Sequence, residues 1–447
     1  MRKLHRVLGK LVAVSLLTMG AVPAHAALRM SVAAETTNKA KPGATVPPDS
    51  ASRSEVVLAD SYISSRTGNT TTVYDFARRR RYVLDEAAKS YEEYSLYDVV
   101  GFRELELRNR EGLRKAMTAA QLQDKLPDEL EDAHELSIPS PGAAPVTQHA
   151  EGEEEVFASG GVTLLRHGKE ARPVGAADAA RFVQFLRYQF AGHPAVLDGL
   201  QKAQRIPASL RYSFHPGWGD RSVLLKIDAV RETGAAPGFT LDGYTPRAAA
   251  ADGGSLDALL DRAWASRATL AGKASLGSGD ALAARMREQP PLDAYLTLME
   301  SQLSGARMPA LSDEQKLAFQ ADPNLRKLAQ ALAARDRAGL RQAVGSLQLL
   351  RMQVQSRRYL LQLYEANDRM QLGEADAARD LYAEVLRGNS AIAGAYKDIG
   401  DFYFRSFDPP RAWRSWEIAR TLAPMFPNLQ PVTQFERTLA DRFPTYF

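Results

Sequence analysis

The chain of 447 residues contains no cysteine. That excludes disulfides and a lipid-modified cysteine anchor. Histidine is scarce, with seven residues in all, so metal or acid–base chemistry built on imidazole has few candidates. No glycine-rich loop of the phosphate-cradling kind is present. Long apolar runs are lacking too. Leu11 to Met19 is apolar, but it is too short for a good membrane span, and no other long run follows. An excess of charge is the last absence. The chain carries 57 Lys+Arg against 53 Asp+Glu, but Arg2, Lys3, Arg6 and Lys10 sit in the first ten residues. With those four removed it carries 53 of each sign, which gives no support for nucleic-acid binding.

Those first residues have the layout of a secretory signal: a basic start, the short apolar run, and Ala24-His25-Ala26 as a small-x-small cleavage site. The expectation is a signal peptide at 1–26 and a mature protein, soluble after cleavage, in a bacterial periplasm or secreted. Peripheral association with the envelope is compatible with this. An uncleaved N-terminal anchor is the alternative.

Near the C-terminus the sequence matches itself at a spacing of 34. Ala366 pairs with Gly400, Ala378 with Ala412, and Tyr382 with Trp416, without insertion. A fixed period of this length marks stacked helical hairpins. In the second unit Tyr396, Ile399, Gly400 and Tyr403 share one helix face, and Ala412, Trp416 and Ala419 share another before Pro424. The first unit keeps Ala366, Gly373, Ala378, Tyr382 and Leu386. A faint upstream copy puts Gly339 34 residues before Gly373, with Ala343 one place out of register. Small residues let the two helices of a hairpin approach, and large aromatics fill the space between hairpins. These residues resemble the tetratricopeptide repeat over about 325–424. The resemblance implies a protein-binding module. Two good units need caps. Leu292, Leu296, Met299 and Leu303 on the upstream side, and Val432, Phe435 and Leu439 after Pro431, suit that task.

Upstream the patterning differs. Residues 27–53, rich in Ala, Thr, Pro and Lys, read as a flexible lead-in. Val56–Ile63, Thr71–Phe76, Tyr82–Leu84 and Tyr91–Tyr97 read as strands of an antiparallel meander, broken at Gly68-Asn69 and Ala87-Ala88. Val99 to Ala120 has helical spacing, with Phe102, Leu105 and Leu113 expected to be buried. Residues 124–155 read as an acidic linker or loop. Val162–Leu165, Leu210–Phe214 and Val223–Val230 read as strands, and Asp178–Phe190 as a helix. Residues 233–254 read as a second linker. The expected fold class is α+β: an antiparallel β-rich domain with helices at 54–232, then an all-α, tetratricopeptide-like hairpin domain at 255–447.

Candidate chemistry is thin. Leu164-Leu165-Arg166-His167-Gly168 resembles the histidine-phosphatase signature, in which imidazole is the nucleophile and guanidinium holds phosphate. That chemistry needs a second His, and only His193 and His215 follow. The alternative is a hairpin turn at His167-Gly168-Lys169. Arg78 to Arg81 is either a patch for anionic polymer or a solvated turn. His134 and His149 lie among acids, but their spacing fits no metal site. Gly277-Ser278-Gly279 lacks the spacing of a hydrolase elbow.

The resemblance implies a partner groove along the first helix of each hairpin. Its stripes are Lys397, Asp401 and Phe404 with Arg405 beside them, and Leu363, Asn367 and Met370 with Gln371 beside them. Some family members clamp a peptide carboxylate with paired Lys and Asn. Asn367 fits that pattern, whereas Leu363 and Asp398 depart from it. The expected partner-binding residues are Asn367, Met370, Lys397, Asp401, Phe404 and Arg405, with a protein or peptide as partner. No catalytic residue, metal or cofactor is expected. The leading reading is an exported, non-catalytic scaffold or adaptor. The alternatives are an envelope hydrolase with its site in 54–232, and a lipid or glycan carrier whose meander forms a half-open cup.

Overall fold

The computed structural model describes residues 26–120, 129–235, 238–247, 254–273, 279–306, 308 and 310–447. The proposed signal peptide lies outside them apart from Ala26. The chain folds as a large antiparallel sheet with helices on it, followed by an all-helical region.

The sheet is built outward from its first strand. β1 (Ala26–Ala40) pairs with β2 (Ser50–Leu58) on one side. From β2 the chain meanders through β3 (Tyr62–Thr67), β4 (Thr70–Asp75), β5 (Arg80–Asp85) and β6 (Ser90–Ser95). The expected lead-in at 27–53 is thus wrong. Leu28, Met30, Val32 and Ala34 are buried on one face while Arg29 and Glu35 are exposed, a period-2 pattern broken only where Ala27 and Ser31, beside irregularities in the β1–β13 pairing, are buried as well. The many alanines and threonines hid it. The expected strand Val56–Ile63 is split by a turn at 59–61 into the ends of β2 and β3.

After β6 come α1 (Tyr97–Ala119) and α2 (Glu129–Leu136), then β7 (Thr147–Glu151), β8 (Glu154–Ser159), β9 (Val162–Gly168) and β10 (Ala171–Pro173). α3 (Ala176–Gln189) and α4 (Pro194–Ala203) follow. They lead into β11 (Arg205–Pro207), β12 (Ser209–Phe214), β13 (Gly219–Ala235) and β14 (Thr245–Pro246). Among the described residues the sheet has twelve strands in the order β14-β6-β5-β4-β3-β2-β1-β13-β12-β9-β8-β7. The β1–β13 pair therefore joins the strands on both sides of the acidic segment into one sheet. Among the described residues β10 pairs only with β11.

The segment read as a linker at 124–155 contains α2, packed on β12, and the edge strand β7; its residues 124–128 lie outside the described residues. The second linker, 233–254, starts inside β13. It then straps back over the meander, with Phe239, Leu241 and Tyr244 covering Val73, Tyr82 and Leu84. On the opposite, core face, Leu28, Met30, Val56, Leu58, Leu210 and Leu225 meet Phe182, Phe185 and Leu186 of α3 and Val196 and Leu197 of α4. The strands expected to form an open cup thus have cover from the chain itself on both faces.

In α1 the buried face is not the expected one. Phe102 and Leu113 are exposed, while Asp98, Val100, Gly101, Glu104 and Leu107 are buried. Two of those are acids, and arginines make their burial tolerable. Asp98 takes Arg81 at 2.8 Å, and Glu104 takes Arg108 at 2.7 Å and Arg442 at 2.6 Å.

The helical region runs through α5 (Leu256–Ala265), α6 (Arg267–Lys273), α7 (Gly279–Arg287), α8 (Pro291–Leu303), α9 (Asp313–Ala321), α10 (Pro323–Ala333) and α11 (Arg337–Arg351). It continues with α12 (Arg358–Leu372), α13 (Ala375–Gly388), α14 (Ala393–Arg405), α15 (Pro409–Leu422) and α16 (Gln430–Arg442). No helix among the described residues is long and apolar enough to cross a membrane. α15 carries the joint to the sheet: Glu417 takes Arg80 of β5 at 2.5 Å, and Trp413 lies against Gly101 of α1.

Candidate functional site

The two 34-residue units are the hairpins α12–α13 and α14–α15. Ala366, Ala378, Ala412 and Ala419 are fully buried, and a Cβ on Gly400 would overlap the Trp416 ring. The small residues are there because the helices touch. Gly373 ends α12 with a φ of +85°, a left-handed conformation that glycine adopts at little cost. Thirty-four residues on, Phe407 takes the same conformation at φ 59°, with a bulky side chain 40% exposed. Gly373→Ala should cost about 1 kcal/mol, and Phe407→Gly should gain about half of that, as read from thermal denaturation midpoints. The faint upstream copy is out of step. Gly339 lies in the first turn of α11, not in the turn between α10 and α11.

One end of the α12–α14 face is closed by α8, the expected upstream cap. Asp293 accepts from the Gln355 and Ser356 amides at 3.2 and 3.0 Å, and so caps the approach to α12. Glu300 accepts from Arg357 at 2.6 Å, from Asn389 at 2.7 Å and from the Tyr359 hydroxyl. Val432 and Leu439 of α16 are buried at the other end of the array.

The far half of the face opens into a pocket of about 280 Å³. Asn367, Met370, Asp401 and Arg405 line it, together with Gln371, Tyr382, Asp398 and Phe402. Four of the six expected partner-binding residues thus converge. Lys397 is beside the pocket, tied to Asp401 at 2.7 Å and Asp398 at 3.7 Å. Phe404 points away from it. Its ring packs at 5.6–5.8 Å from Trp413, Trp416 and Phe435, because the aromatic cap of α16 needs a partner there. Leu363, expected on the stripe with Asn367 and Met370, is fully buried. Phe402 was missed. Its only sequence signal is its place one turn beyond Asp398, on the strip that faces Tyr382.

The pocket floor is one hydrogen-bond network. The Tyr382 hydroxyl donates to Asn367 Oδ1 at 2.6 Å, and Asn367 Nδ2 donates to Asp398 at 2.8 Å. Trp416 Nε1 donates to Asp401 at 3.2 Å, opposite Lys397. Burial raises the Asp398 pKa against the pull of Lys397. Burial works against the Lys397 ammonium, but Asp401 and Asp398 outweigh it and its pKa rises. Arg405 is exposed and forms no ion pair among the described residues. The floor is therefore satisfied internally, and Gln371 and Arg405 are the exposed polar groups left to meet something else, beside half-buried Met370.

The other candidates resolve differently. Arg166 and His167 are successive residues of β9, so they face opposite sides of the sheet. Arg166 pairs with Glu151 at 2.8 Å, and His167 is 3.6 Å from Glu155. His167 is in no turn: β9 pairs with β8 and β12. The two groups cannot jointly hold one phosphate. Of Arg78 to Arg81, Arg78 and Arg79 are exposed in a turn; Arg79 donates to the Tyr97 hydroxyl, and the other three are tied to carboxylates. Arg80 pairs with Glu417 and Glu93, Arg81 with Asp98, and Arg78 with Asp75. His134 is buried in the core while His149 is on the exposed edge strand, and no metal-ligand cluster occurs among the described residues. Of Gly277-Ser278-Gly279, the first two residues lie outside the described ones.

No family model and no curated protein sequence matches the chain. Among solved structures, one described as lipid–protein interactions in lipovitellin is similar at 11% identity. The match covers 90% of this chain and 53% of that one, with a TM-score of 0.21. The chain thus spans about half the length of that structure, and at such a TM-score the likeness carries no argument.

Proposed function

We propose that this protein is an exported, non-catalytic scaffold or adaptor. Its tetratricopeptide-like hairpins take a protein or peptide partner in the pocket between α12 and α14. The reading rests on one observation: the polar floor of that pocket is tied up internally, while Gln371 and Arg405 stand exposed at its rim beside half-buried Met370. A pocket with an ordered floor and a mixed apolar and cationic rim suits an extended segment offering an acidic group and an apolar side chain. Export rests on the N-terminal sequence, which suits a periplasmic or secreted protein.

Lys397 and Asp401 are poor probes, because replacing them breaks the floor. The pair Met370→Ala and Arg405→Ala leaves the network intact. Affinity capture from envelope extract, followed by titration of the captured partner, should show binding about tenfold or more weaker for this double variant. Its circular dichroism should be unchanged. Undiminished affinity in the double variant would remove the pocket from the proposal.

A further inference from the structure

Another cavity, of about 300 Å³, lies between α3 and the last residues of the chain. α3 lines it with Ala177, Ala180 and Gln184 in one helical stripe, with Arg181 and Arg187 beside them. Gln201 of α4, Asp60 and the C-terminal Thr445 and Phe447 complete it.

The two guanidiniums are unusual for this protein. Several other interior arginines meet carboxylates: Arg80 has Glu417, Arg81 has Asp98, and Arg357 has Glu300. Arg187 is only 4% exposed, yet it pairs with no carboxylate among the described residues. Its guanidinium lies 5.3 Å from the centre of the Tyr446 ring and bonds that side chain, but among the described residues its Nε has no hydrogen-bond partner. Arg181 donates to the Gln184 side-chain oxygen at 2.5 Å and to the Asp60 main-chain carbonyl, and lies 4.5 Å from the Phe76 ring centre. Neither donation supplies a counter-charge. Arg103 also sits on the Tyr446 ring, at 5.4 Å, and donates to the Arg187 carbonyl, so a third cation shares the neighbourhood. Asp60 and Asp198 are exposed and reach the guanidiniums only through space. Burial pulls both arginines below their usual pKa, only partly offset by Asp60 and Tyr188 at Arg181 and by Tyr446 and Asp198 at Arg187.

A buried cation without a counter-ion is costly, and a cavity beside it leaves room for one. We propose that this cavity is an anion site for a small organic carboxylate with a short apolar tail, its carboxylate held by Arg181 and Arg187 and its tail on Ala177, Ala180 and Val183. The cavity is at the small end of ligand pockets, and its apolar wall would be wasted on a fully hydrated ion.

Calorimetric titration of the full chain with octanoate tests it, with octanol and inorganic phosphate as comparison ligands. Octanoate should bind saturably at one site and raise the melting temperature. Arg181→Gln should weaken it about tenfold or more, as should Arg187→Met. Ala180→Phe, which fills the cavity and keeps both cations, should abolish it. Arg187→Met removes an unpaired buried charge, so without ligand it should melt no lower than the parent. The idea fails if octanoate gives no saturable heat, if octanol binds as well, or if phosphate binds more tightly. Octanoate affinity that survives Arg187→Met and Ala180→Phe overturns it equally.

Discussion

Trp413→Ala is expected to destabilise the protein by about 4–5 kcal/mol, a large fraction of the stability of a typical domain. Trp413 is fully buried where three helices meet. A Cβ on Gly101 of α1 would overlap its ring, Trp416 lies at 5.1 Å from it and Phe435 of α16 at 5.9 Å. Removing the indole opens a cavity that these neighbours, fixed on separate helices, cannot collapse to fill. It also takes a donor at 3.1 Å from Glu436, leaving that buried carboxylate with Arg420. Trp413→Phe should separate the effects: most of the packing survives and the loss falls to about 1–2 kcal/mol. Urea denaturation of both variants measures this. A shift below about 1 kcal/mol for the alanine variant would mean that the joint between sheet and hairpins does not depend on this ring.

The hairpins were legible in the sequence because a repeat records its own packing: Ala378 and Ala412, or Tyr382 and Trp416, are small or large for the same reason in each copy. Trp413 has no counterpart in that register, since it serves the contact with α1, which occurs once. β1 was hidden because alternation had to be seen through a composition typical of loops. The buried face of α1 was misread because Asp98 and Glu104 are interior only by virtue of Arg81, Arg108 and Arg442, and two of those partners are distant in sequence.

The candidate groove divides the same way. Helical spacing correctly places Asn367 with Met370 and Asp401 with Arg405 on lines one turn long. It says nothing of what lies across from each line. Phe404 shares a stripe with Asp401 but is drawn off it by Trp413, Trp416 and Phe435, while Phe402 comes into the pocket because Tyr382 is opposite. The uncompensated pair Arg181 and Arg187 could not be read at all: a missing counter-ion is a property of the folded neighbourhood.

Acid should loosen the fold through His134. Its Nδ1 accepts the His193 amide at 2.8 Å, so in the neutral ring the proton is on Nε2, which donates to the Ser213 carbonyl at 3.0 Å. The ring is fully buried, stacked 4.3 Å from Phe214, and has no free position for a second proton. Burial first, then the charge of neighbouring His193, drives its pKa from 6.5 down to about 3. The unfolded chain therefore takes up this proton at a higher pH than the folded one. The stabilisation is complete above about pH 6.5 and is lost progressively as pH falls towards 3, where both states are protonated; over that window it amounts to about 4–5 kcal/mol. His193, also lowered by burial, acts in the same sense. Asp98, Asp398, Glu417 and Glu436, raised by burial, act in the opposite one, so the total slope does not isolate His134. The difference from His134→Gln does, since glutamine can donate to Ser213 but cannot titrate. Between pH 6 and 4 the parent should lose about 1.4 kcal/mol per pH unit more than the variant, the slope of one proton. Parallel curves from urea denaturation at each pH would show that His134 is already protonated in the folded protein.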